Sequence, residues 1–368
     1  MGTQAPAYDP VARDRDDFSE RLFGEALGAF NIFSVYIGDR LGFYRELAGG
    51  EALTTAELAR RTNTHERYVR EWLEHQATSC VLEAHGDGNR SGERRYSLPP
   101  GRAEVLADRE SLSYMAPLAQ LIVGAVTPLD ALLEAYRNGG GVAYHDYGVN
   151  LREGQAAMNR QMFLQQLGHE WLPLVEDVHA RLQSDPAARV ADIGCGAGWS
   201  SIGIASAYSK VQVDGYDLDP ASVELARANI QSAGLSERVR AFLRDASDPD
   251  QYGRYDLVTA FECLHDMSNP VGALRTMRLL AGDQGAVIIM DERAMEEFQP
   301  CGGALDQLLY GFSILHCLPV GMVEQPSAGT GTVMRPDALR TYAQQAGFSQ
   351  VEILPIDNFF FRFYRLRG

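Results

Sequence analysis

Asp192-Ile193-Gly194-Cys195-Gly196-Ala197-Gly198 is the stretch that decides how the C-terminal half of this 368-residue chain folds. The apolar run at 190–193 predicts a buried strand, and the glycines after it allow the backbone to approach a ligand closely. Similar apolar runs alternate with helical stretches further along, which indicates a doubly wound α/β domain with a mainly parallel sheet. The further strands are predicted at 211–216, 239–243, 255–260, 286–290, 351–354 and 359–366.

Acidic residues follow the next two predicted strands. Asp217 ends the strand after the glycine loop, about 20 residues on, where a carboxylate can bind ribose hydroxyls. Asp245 follows the third strand and can accept a hydrogen bond from an adenine amino group. A glycine-rich turn also occurs in nicotinamide enzymes, so an oxidoreductase stays an alternative. Asp192 at the start of the loop and Asp245 favour an adenosylmethionine site instead, and both are assigned to cofactor binding.

This set of residues resembles the class I S-adenosylmethionine-dependent methyltransferases, over residues 189–366. The resemblance implies a seven-stranded Rossmann-like sheet and S-adenosyl-L-methionine as cofactor. It also implies roles for single residues around the cofactor. The methionine and ribose part would lie on Gly194, Gly196 and Gly198, the ribose on Asp217, the adenine between Leu218, Asp245 and Ala246, and the sulfonium near Phe261.

The segment Phe261-Glu262-Cys263-Leu264-His265-Asp266 is similar to the part of small-molecule O-methyltransferases that carries the general base. The resemblance implies that His265 is that base and that Asp291, after the fifth strand, orients it. Met267 stands where that family has a tryptophan, so a structural or cofactor-packing role for His265 stays open. His316, in a long insertion after the fifth strand, is a second catalytic candidate, with a satisfied polar residue as its alternative. Neither histidine has metal-ligand spacing with its neighbouring cysteine, so no metal site is predicted.

The N-terminal part predicts a winged helix, because two short helices are followed by a hairpin. Thr54 with Glu57 and Asn63 with Glu66 have capping-box spacing, and each is predicted to open a helix. We divide the chain into a winged-helix and dimerisation domain (1–102), a helical connector and lid (103–186) and a catalytic domain (187–368). The helical stretch at 17–48 carries many apolar residues, which predicts that a partner covers it. That partner is either the rest of the same chain or a second subunit, and we expect a homodimer.

The connector contains aromatic residues that predict a lid over the cofactor or the acceptor. Tyr144, His145 and Tyr147 form its first part, and Tyr147 is assigned to the cofactor. Met158, Met162 and Trp171 extend the stripe, and a simple helical core is the alternative for all six. If the stripe is a lid, the acceptor is a flat aromatic molecule.

The net charge of −16 argues against binding to nucleic acid or to an anionic membrane surface. No apolar run is long enough to span a bilayer. Five cysteines without a C-x-x-C pair favour a reducing compartment, so we expect a cytoplasmic protein.

The predicted function is methyl transfer to a small molecule, with oxygen favoured and carbon or nitrogen open. A winged-helix DNA-binding regulator with a ligand-sensing domain, or a cofactor-binding scaffold without catalysis, are the alternatives.

Overall fold

The computed structural model describes residues 9–86, 93–248 and 254–368, and the chain divides into two compact units between Ala119 and Gln120. The first unit combines helices with a three-stranded antiparallel sheet in the order β1-β3-β2. Its elements are α1 (Pro10–Arg40), α2 (Phe43–Leu47), β1 (Leu53–Thr54), α3 (Thr55–Thr62), α4 (Glu66–Thr78), β2 (Glu83–His85), β3 (Arg95–Ser97) and α5 (Pro100–Leu106). Part of the predicted hairpin connection, residues 87–92, lies outside the described residues.

Helix capping in the first unit follows the prediction at one helix and contradicts it at the other. Thr54 and Glu57 form the predicted capping box at the start of α3, since the Glu57 backbone N–H donates to Thr54 Oγ1 over 3.3 Å. The second predicted box was wrong, because Asn63 adopts a left-handed conformation (φ 52°) and ends α3. Asparagine tolerates this conformation well at a helix end. The side chain of His65 caps α4 instead.

The second unit is built on a seven-stranded sheet in the order β6-β5-β4-β7-β8-β10-β9, which confirms the predicted fold class. The five neighbouring strands β6, β5, β4, β7 and β8 are parallel, and β10 runs antiparallel to both β8 and β9. The strands are β4 (Arg189–Ile193), β5 (Gln212–Asp217), β6 (Val239–Leu243), β7 (Leu257–Phe261), β8 (Ala286–Glu292), β9 (Gln350–Ile353) and β10 (Phe361–Arg367).

Helices cover both faces of this sheet, and two π-helical segments interrupt their regular winding. Regular helices are α6 (Ala116–Ala125), α7 (Leu129–Asn138), α8 (Gly148–Met162), α9 (Glu176–Gln183), α10 (Trp199–Ala207), α11 (Pro220–Ser232), α12 (Pro270–Ala281), α13 (Ala304–Phe312), α14 (Leu318–Gly321) and α15 (Pro336–Gln345). Short 3₁₀ turns lie at Tyr144–Tyr147, Leu172–Leu174 and Leu264–Asp266. Wider π-helical segments continue α8 (Phe163–Trp171) and join α13 to α14 (Ser313–Cys317).

Strand register brings the functional loops to one edge of the sheet. Ile193 pairs with Ala260, and Phe261 pairs with Met290, so the residues after β4, β7 and β8 emerge side by side. The predicted strand at 359–366 begins late, since Phe359 is 79% exposed and β10 starts at Phe361. Its start is delayed because the Asn358 side chain accepts the backbone N–H groups of Phe360 and Phe361 in a turn.

No single helix among residues 9–86, 93–248 and 254–368 is both long and apolar enough to cross a membrane. Only α6 and α7 taken together reach the required length and composition, and they are bent by 50° at their junction.

Candidate active site

The loop after β4 holds its three glycines in left-handed conformations that other residues adopt at a cost. The φ angles of Gly194, Gly196 and Gly198 are 66°, 52° and 80°. A Cβ atom on Gly194 would lie 2.6 Å from Cys263 Sγ, so this glycine is required by packing. A Cβ on Gly196 would meet nothing within 4 Å, which leaves space for a ligand beside the backbone.

Asp192 lies beneath this loop, almost fully buried, and accepts hydrogen bonds from three hydroxyl groups. Ser200 and Ser201, in the first turn of α10, each donate over 2.6 Å, and Thr259 on β7 donates over 2.9 Å. Burial raises the pKa of the Asp192 carboxyl, and the three hydroxyls partly oppose that rise. These partners join β4, β7 and α10, so Asp192 shapes the loop from within the protein.

Asp217, at the end of β5, connects the glycine loop to the neighbouring strand. Its Oδ2 accepts the backbone N–H of Gly196 over 2.8 Å, and its Oδ1 accepts that of Asp219 over 2.9 Å. Burial raises the pKa of the Asp217 carboxyl. Asp219 in turn accepts the Arg152 guanidinium over 2.8 Å, which attaches α8 to the same edge.

The residues predicted to flank the adenine lie at the ends of β5 and β6, which are adjacent strands. Leu218 is 63% exposed. Asp245 is exposed, and its Oδ1 accepts the backbone N–H and the hydroxyl of Ser247. Ala246 is partly buried against the core. The apolar side chain of Leu218 and the carboxylate of Asp245 are therefore both exposed where two neighbouring strands end.

His265, on the 3₁₀ turn after β7, is buried among three carboxylates. Its Nδ1 lies 2.8 Å from Asp291 Oδ1 and 3.1 Å from Glu292 Oε2, and its Nε2 lies 3.1 Å from Asp266 Oδ1. Burial opposes the charged imidazole, but Asp291, Glu292 and Asp266 outweigh it and hold the pKa of His265 well above its usual value. The structure thus brings His265 and Asp291 together, and it adds two acidic partners that the sequence reasoning missed.

Glu262 is a second residue that sequence reasoning missed. It adopts a left-handed conformation (φ 54°), and its Oε2 accepts amide hydrogens from Gln155 (2.9 Å) and Asn159 (2.5 Å) on α8. Burial, together with the nearby Glu292 carboxylate, raises the pKa of Glu262 to about 8. The amides stand four residues apart on one helix face, a spacing that could have signalled a shared polar partner.

His316 lies in the π-helical segment after α13 and packs against the aromatic residues of the predicted lid. Its ring contacts Tyr147 and Tyr144 edge-on, with ring centres 4.8 Å and 5.8 Å apart. Its Nδ1 lies 3.4 Å from Cys317 Sγ, and its Nε2 has no hydrogen-bond partner among the described residues. Burial lowers the pKa of His316. Single π turns of this kind often occur at functional sites.

Three aromatic residues of the predicted lid and cofactor site, Tyr147, Trp171 and Phe261, have separate surroundings. Tyr147 is fully buried, and its hydroxyl donates to the carbonyl of Leu315 over 2.9 Å, so it contacts the insertion that carries His316. Trp171 packs against Phe363 on β10, with ring centres 5.0 Å apart, within the core. Phe261 packs against Phe163 with ring centres 5.7 Å apart.

Two groups of side chains on this edge place possible metal-ligand atoms within 4.8 Å of one another. The first contains His265, Asp266 and Cys317, and the second contains His265, Asp291 and Glu292. The first group joins residues after β7 to the insertion after β8, a combination that spacing along the sequence did not predict.

Two protein families match this chain over separate regions. Residues 184–311 match the family described as "Methyltransferase domain", and residues 29–108 match "Rv2258c-like winged HTH domain". A curated relative, the ubiquinone biosynthesis O-methyltransferase of Bordetella pertussis, is 31% identical over 160 residues, which cover 43% of this chain and 61% of that protein. The chain spans less than two thirds of the length of the first curated relatives that it matches.

Solved structures share the fold over almost the whole chain at low sequence identity. The mitomycin 7-O-methyltransferase MmcR has a TM-score of 0.67 and 18% identity, with 97% of this chain and 99% of that chain covered. Human N-acetylserotonin methyltransferase, solved in complex with SAM, has a TM-score of 0.69 and 17% identity, covering 99% and 100%.

Proposed function

We propose that this chain, in which a winged helix-turn-helix domain precedes a methyltransferase domain, transfers the methyl group of S-adenosyl-L-methionine to a small aromatic acceptor, with oxygen favoured over nitrogen and carbon. One observation carries the proposal. Asp217 hydrogen-bonds the backbone of Gly196, so a carboxylate and a glycine turn meet at the carboxyl edge of a parallel sheet. Ligands of doubly wound proteins bind at this edge.

We assign the cofactor to the edge formed by β4, β5 and β6. The open face of Gly196 would accept the methionine and ribose part between Gly194 and Gly198. Asp217 would bind the ribose hydroxyls, and its burial strengthens such hydrogen bonds. The adenine would lie on exposed Leu218, with Asp245 and Ala246 beside it, and Phe261 near the sulfonium. Asp192 supports the loop from behind, and Tyr147 belongs to the lid through its contact with the insertion.

The acceptor would lie on the other side of the sulfonium, near His265 with Asp291 and near His316. During transfer the carbon–sulfur bond breaks and its electron pair stays on sulfur, while a bond forms between the methyl carbon and the acceptor oxygen. The acceptor proton leaves to a base on this side, for which His265 and His316 are the candidates. The raised pKa of His265 means that its ring must first lose a proton to act as this base, whereas burial lowers the pKa of His316 and favours its neutral ring. Alignment of the reacting atoms supplies much of the rate, since the sulfonium is already activated.

We propose the domain boundaries that the sequence predicts, with winged helix and dimerisation at 1–102, connector and lid at 103–186, and catalysis at 187–368. We also place the enzyme in the cytoplasm, because all five cysteines are unpaired and such thiols suit a reducing compartment.

We propose that the winged helix serves assembly and does not bind DNA. On α4, Arg67 and Arg70 pair with Glu71 and Glu66 of the same helix, which neutralises them.

A direct test combines cofactor binding with a transfer assay. Calorimetry should detect adenosylhomocysteine binding and no binding of NADH. Incubation with adenosylmethionine that carries a labelled methyl group, and with a panel of phenols, catechols and aromatic amines, should label at least one acceptor. If the protein binds adenosylhomocysteine but labels none of them, the non-catalytic scaffold is favoured. If it binds NADH instead, the methyltransferase proposal is wrong.

The proposed homodimer predicts a second experiment, on α1. Phe23 and Phe30 are 67% and 63% exposed in the single chain, and Leu27 between them is exposed as well. Burying such side chains stabilises an interface by about 1.5–3 kcal/mol each. The double substitution of Phe23→Asp and Phe30→Asp should therefore convert a dimer to a monomer in light scattering. Tyr68→Asp, at an aromatic residue of α4 that is 78% exposed, should leave the dimer intact. A monomeric wild type would contradict this part of the proposal.

A further inference from the structure

Glu262 lies at the edge of the proposed cofactor site and has no part in the methyl transfer described above. Ile193, the last residue of β4, pairs with Ala260 on the neighbouring parallel strand β7. The loops that follow the two strands are in contact, since a Cβ atom on Gly194 would lie 2.6 Å from Cys263 Sγ. Glu262 therefore leaves β7 beside the first residues of the glycine loop.

Helix α8 is attached on both sides of that loop. Arg152 donates to Asp219, after β5, over 2.8 Å. Gln155 and Asn159 donate to Glu262 Oε2, after β7, over 2.9 Å and 2.5 Å. The three helix side chains recur at steps of three and four residues, so they lie on one face of α8. Because β4 lies between β5 and β7 in the sheet, this face spans the glycine loop at the end of β4.

The charge of the Glu262 carboxylate is poorly compensated by its surroundings. Its hydrogen-bond donors in the described part of the chain are the two neutral amides of α8. Glu292 on β8 repels a negative charge there, and the His265 imidazolium attracts it. His265 is already shared by three other carboxylates. Since Glu262 is partly exposed, a positively charged ligand can reach it and stabilise the ionised carboxylate.

The backbone of Glu262 also indicates a functional position. Its left-handed conformation (φ 54°) costs a glutamate about 1–3 kcal/mol, and residues strained in this way are concentrated at active sites and ligand clamps. The turn itself would favour glycine or asparagine, which adopt this conformation more readily. A ligand that needs a carboxylate at this point therefore explains the glutamate, whereas the turn does not.

We propose that Glu262 binds the α-ammonium group of the methionine part of S-adenosyl-L-methionine. The proposed function places the adenine at β5 and β6, the ribose at Asp217 on β5, and the sulfonium near Phe261 at the end of β7. The methionine chain would then run over the glycine loop after β4, so that its ammonium group reaches the carboxyl of Glu262. A carboxylate and an ammonium group form charge-assisted hydrogen bonds, which are stronger than neutral ones. The assignment rests on the proposed function, from which it takes the cofactor and its direction along the sheet.

Calorimetry with three ligands tests the assignment on the full chain. Glu262→Gln removes the negative charge, so it should weaken adenosylhomocysteine binding about tenfold or more, as expected for one hydrogen bond to a charged group. Decarboxylated adenosylhomocysteine keeps the ammonium group and should lose affinity by a similar factor. Methylthioadenosine has no ammonium group and should bind the variant as it binds the wild type. Glu237→Gln, at an exposed glutamate between α11 and β6, is the matched control and should change none of these affinities.

Two further measurements distinguish binding from a structural role. Glu262→Gln keeps an oxygen for the two α8 amides and removes the repulsion by Glu292, so it should melt no lower than the wild type. Burial and Glu292 raise the pKa of Glu262 to about 8, so the free carboxyl is mostly protonated near neutral pH. Pairing with an ammonium group ionises it, and the wild type should release a proton that appears as a buffer-dependent heat of binding. His265 and Glu292 also face this carboxyl, so the readout is the release that Glu262→Gln abolishes.

The results separate this assignment from the proposed function. Equal weakening of all three ligands in Glu262→Gln, unchanged binding of adenosylhomocysteine, or proton release that persists in the variant overturns the ammonium site and leaves the methyltransferase proposal intact. Glu262→Asp keeps the charge on a side chain one carbon shorter and should bind adenosylhomocysteine more tightly than Glu262→Gln does. The reverse order of these two variants also overturns the ammonium site. A wild type that binds none of the three ligands overturns the proposed function and the assignment with it.

Discussion

Asp217→Ala should weaken adenosylhomocysteine binding by about 1.5–3 kcal/mol, the scale of a hydrogen bond to a charged group. This corresponds to a roughly 10- to 150-fold higher Kd in calorimetry, since 1.4 kcal/mol is a factor of ten. The substitution removes the acceptor of the ribose hydroxyls. It also removes the carboxylate oxygens that accept hydrogen bonds from the backbone N–H groups of Gly196 and Asp219. Both losses act at the same end of β5.

A matched pair of variants separates these two effects. Asp217→Asn keeps one oxygen for the backbone but removes the negative charge, so its binding should lie between those of the wild type and Asp217→Ala. Asp283→Ala, at an exposed carboxylate between α12 and β8, should bind as the wild type does. Unchanged affinity in Asp217→Ala would contradict our placement of the ribose.

Asp192→Ala should destabilise the second unit by about 2–4 kcal/mol, because it leaves buried hydroxyl groups without their acceptor. Ser200, Ser201 and Thr259 all donate to this carboxylate, and it connects α10 and β7 to β4. The serine hydroxyls can turn toward backbone carbonyls of their helix, which keeps the loss below the full sum of three bonds. Urea unfolding followed by circular dichroism measures the change in free energy.

A second variant at this position tests whether Asp192 supports the loop without contacting the cofactor. Asp192→Asn keeps the size of the side chain and one acceptor oxygen, so it should cost less stability than Asp192→Ala. If Asp192 supports the loop and does not contact the cofactor, folded Asp192→Asn should bind adenosylhomocysteine within a few-fold of the wild type. A large loss of affinity without any loss of stability would show that Asp192 contacts the cofactor itself.

Much of the fold could be predicted from the sequence because local patterns determine it. Strand β6 has the predicted bounds, and β4, β5 and β7 begin within two residues of theirs. These strands are apolar runs between helical stretches, and buried parallel strands require such runs. Asp219 caps α11 with Pro220 in its first turn, and such a pair is a local signal of a helix start.

The acceptor side was harder to predict, because its residues meet only in the folded sheet. Glu292 and Asp266 reach His265 from β8 and from the turn after β7, and no spacing along the chain reveals that meeting. Cys317 joins them from an insertion whose π-helical turn has no clear sequence signal. The reasoning on metal sites considered only neighbours in sequence, so it did not foresee that His265, Asp266 and Cys317 place possible ligand atoms within 4.8 Å of one another. The absence of a metal site stays a prediction.

The hydrogen bond from Gly196 to Asp217 has a consequence for how the proposed cofactor would bind. Adenosylmethionine would bind to a turn whose backbone is already ordered, so little conformational entropy of the protein would be lost on binding. Preorganisation of this kind favours fast capture and a modest heat-capacity change. Slow steps of turnover would then lie with the acceptor and with the aromatic segment around Tyr147, which must open because Tyr147 and His316 are both buried.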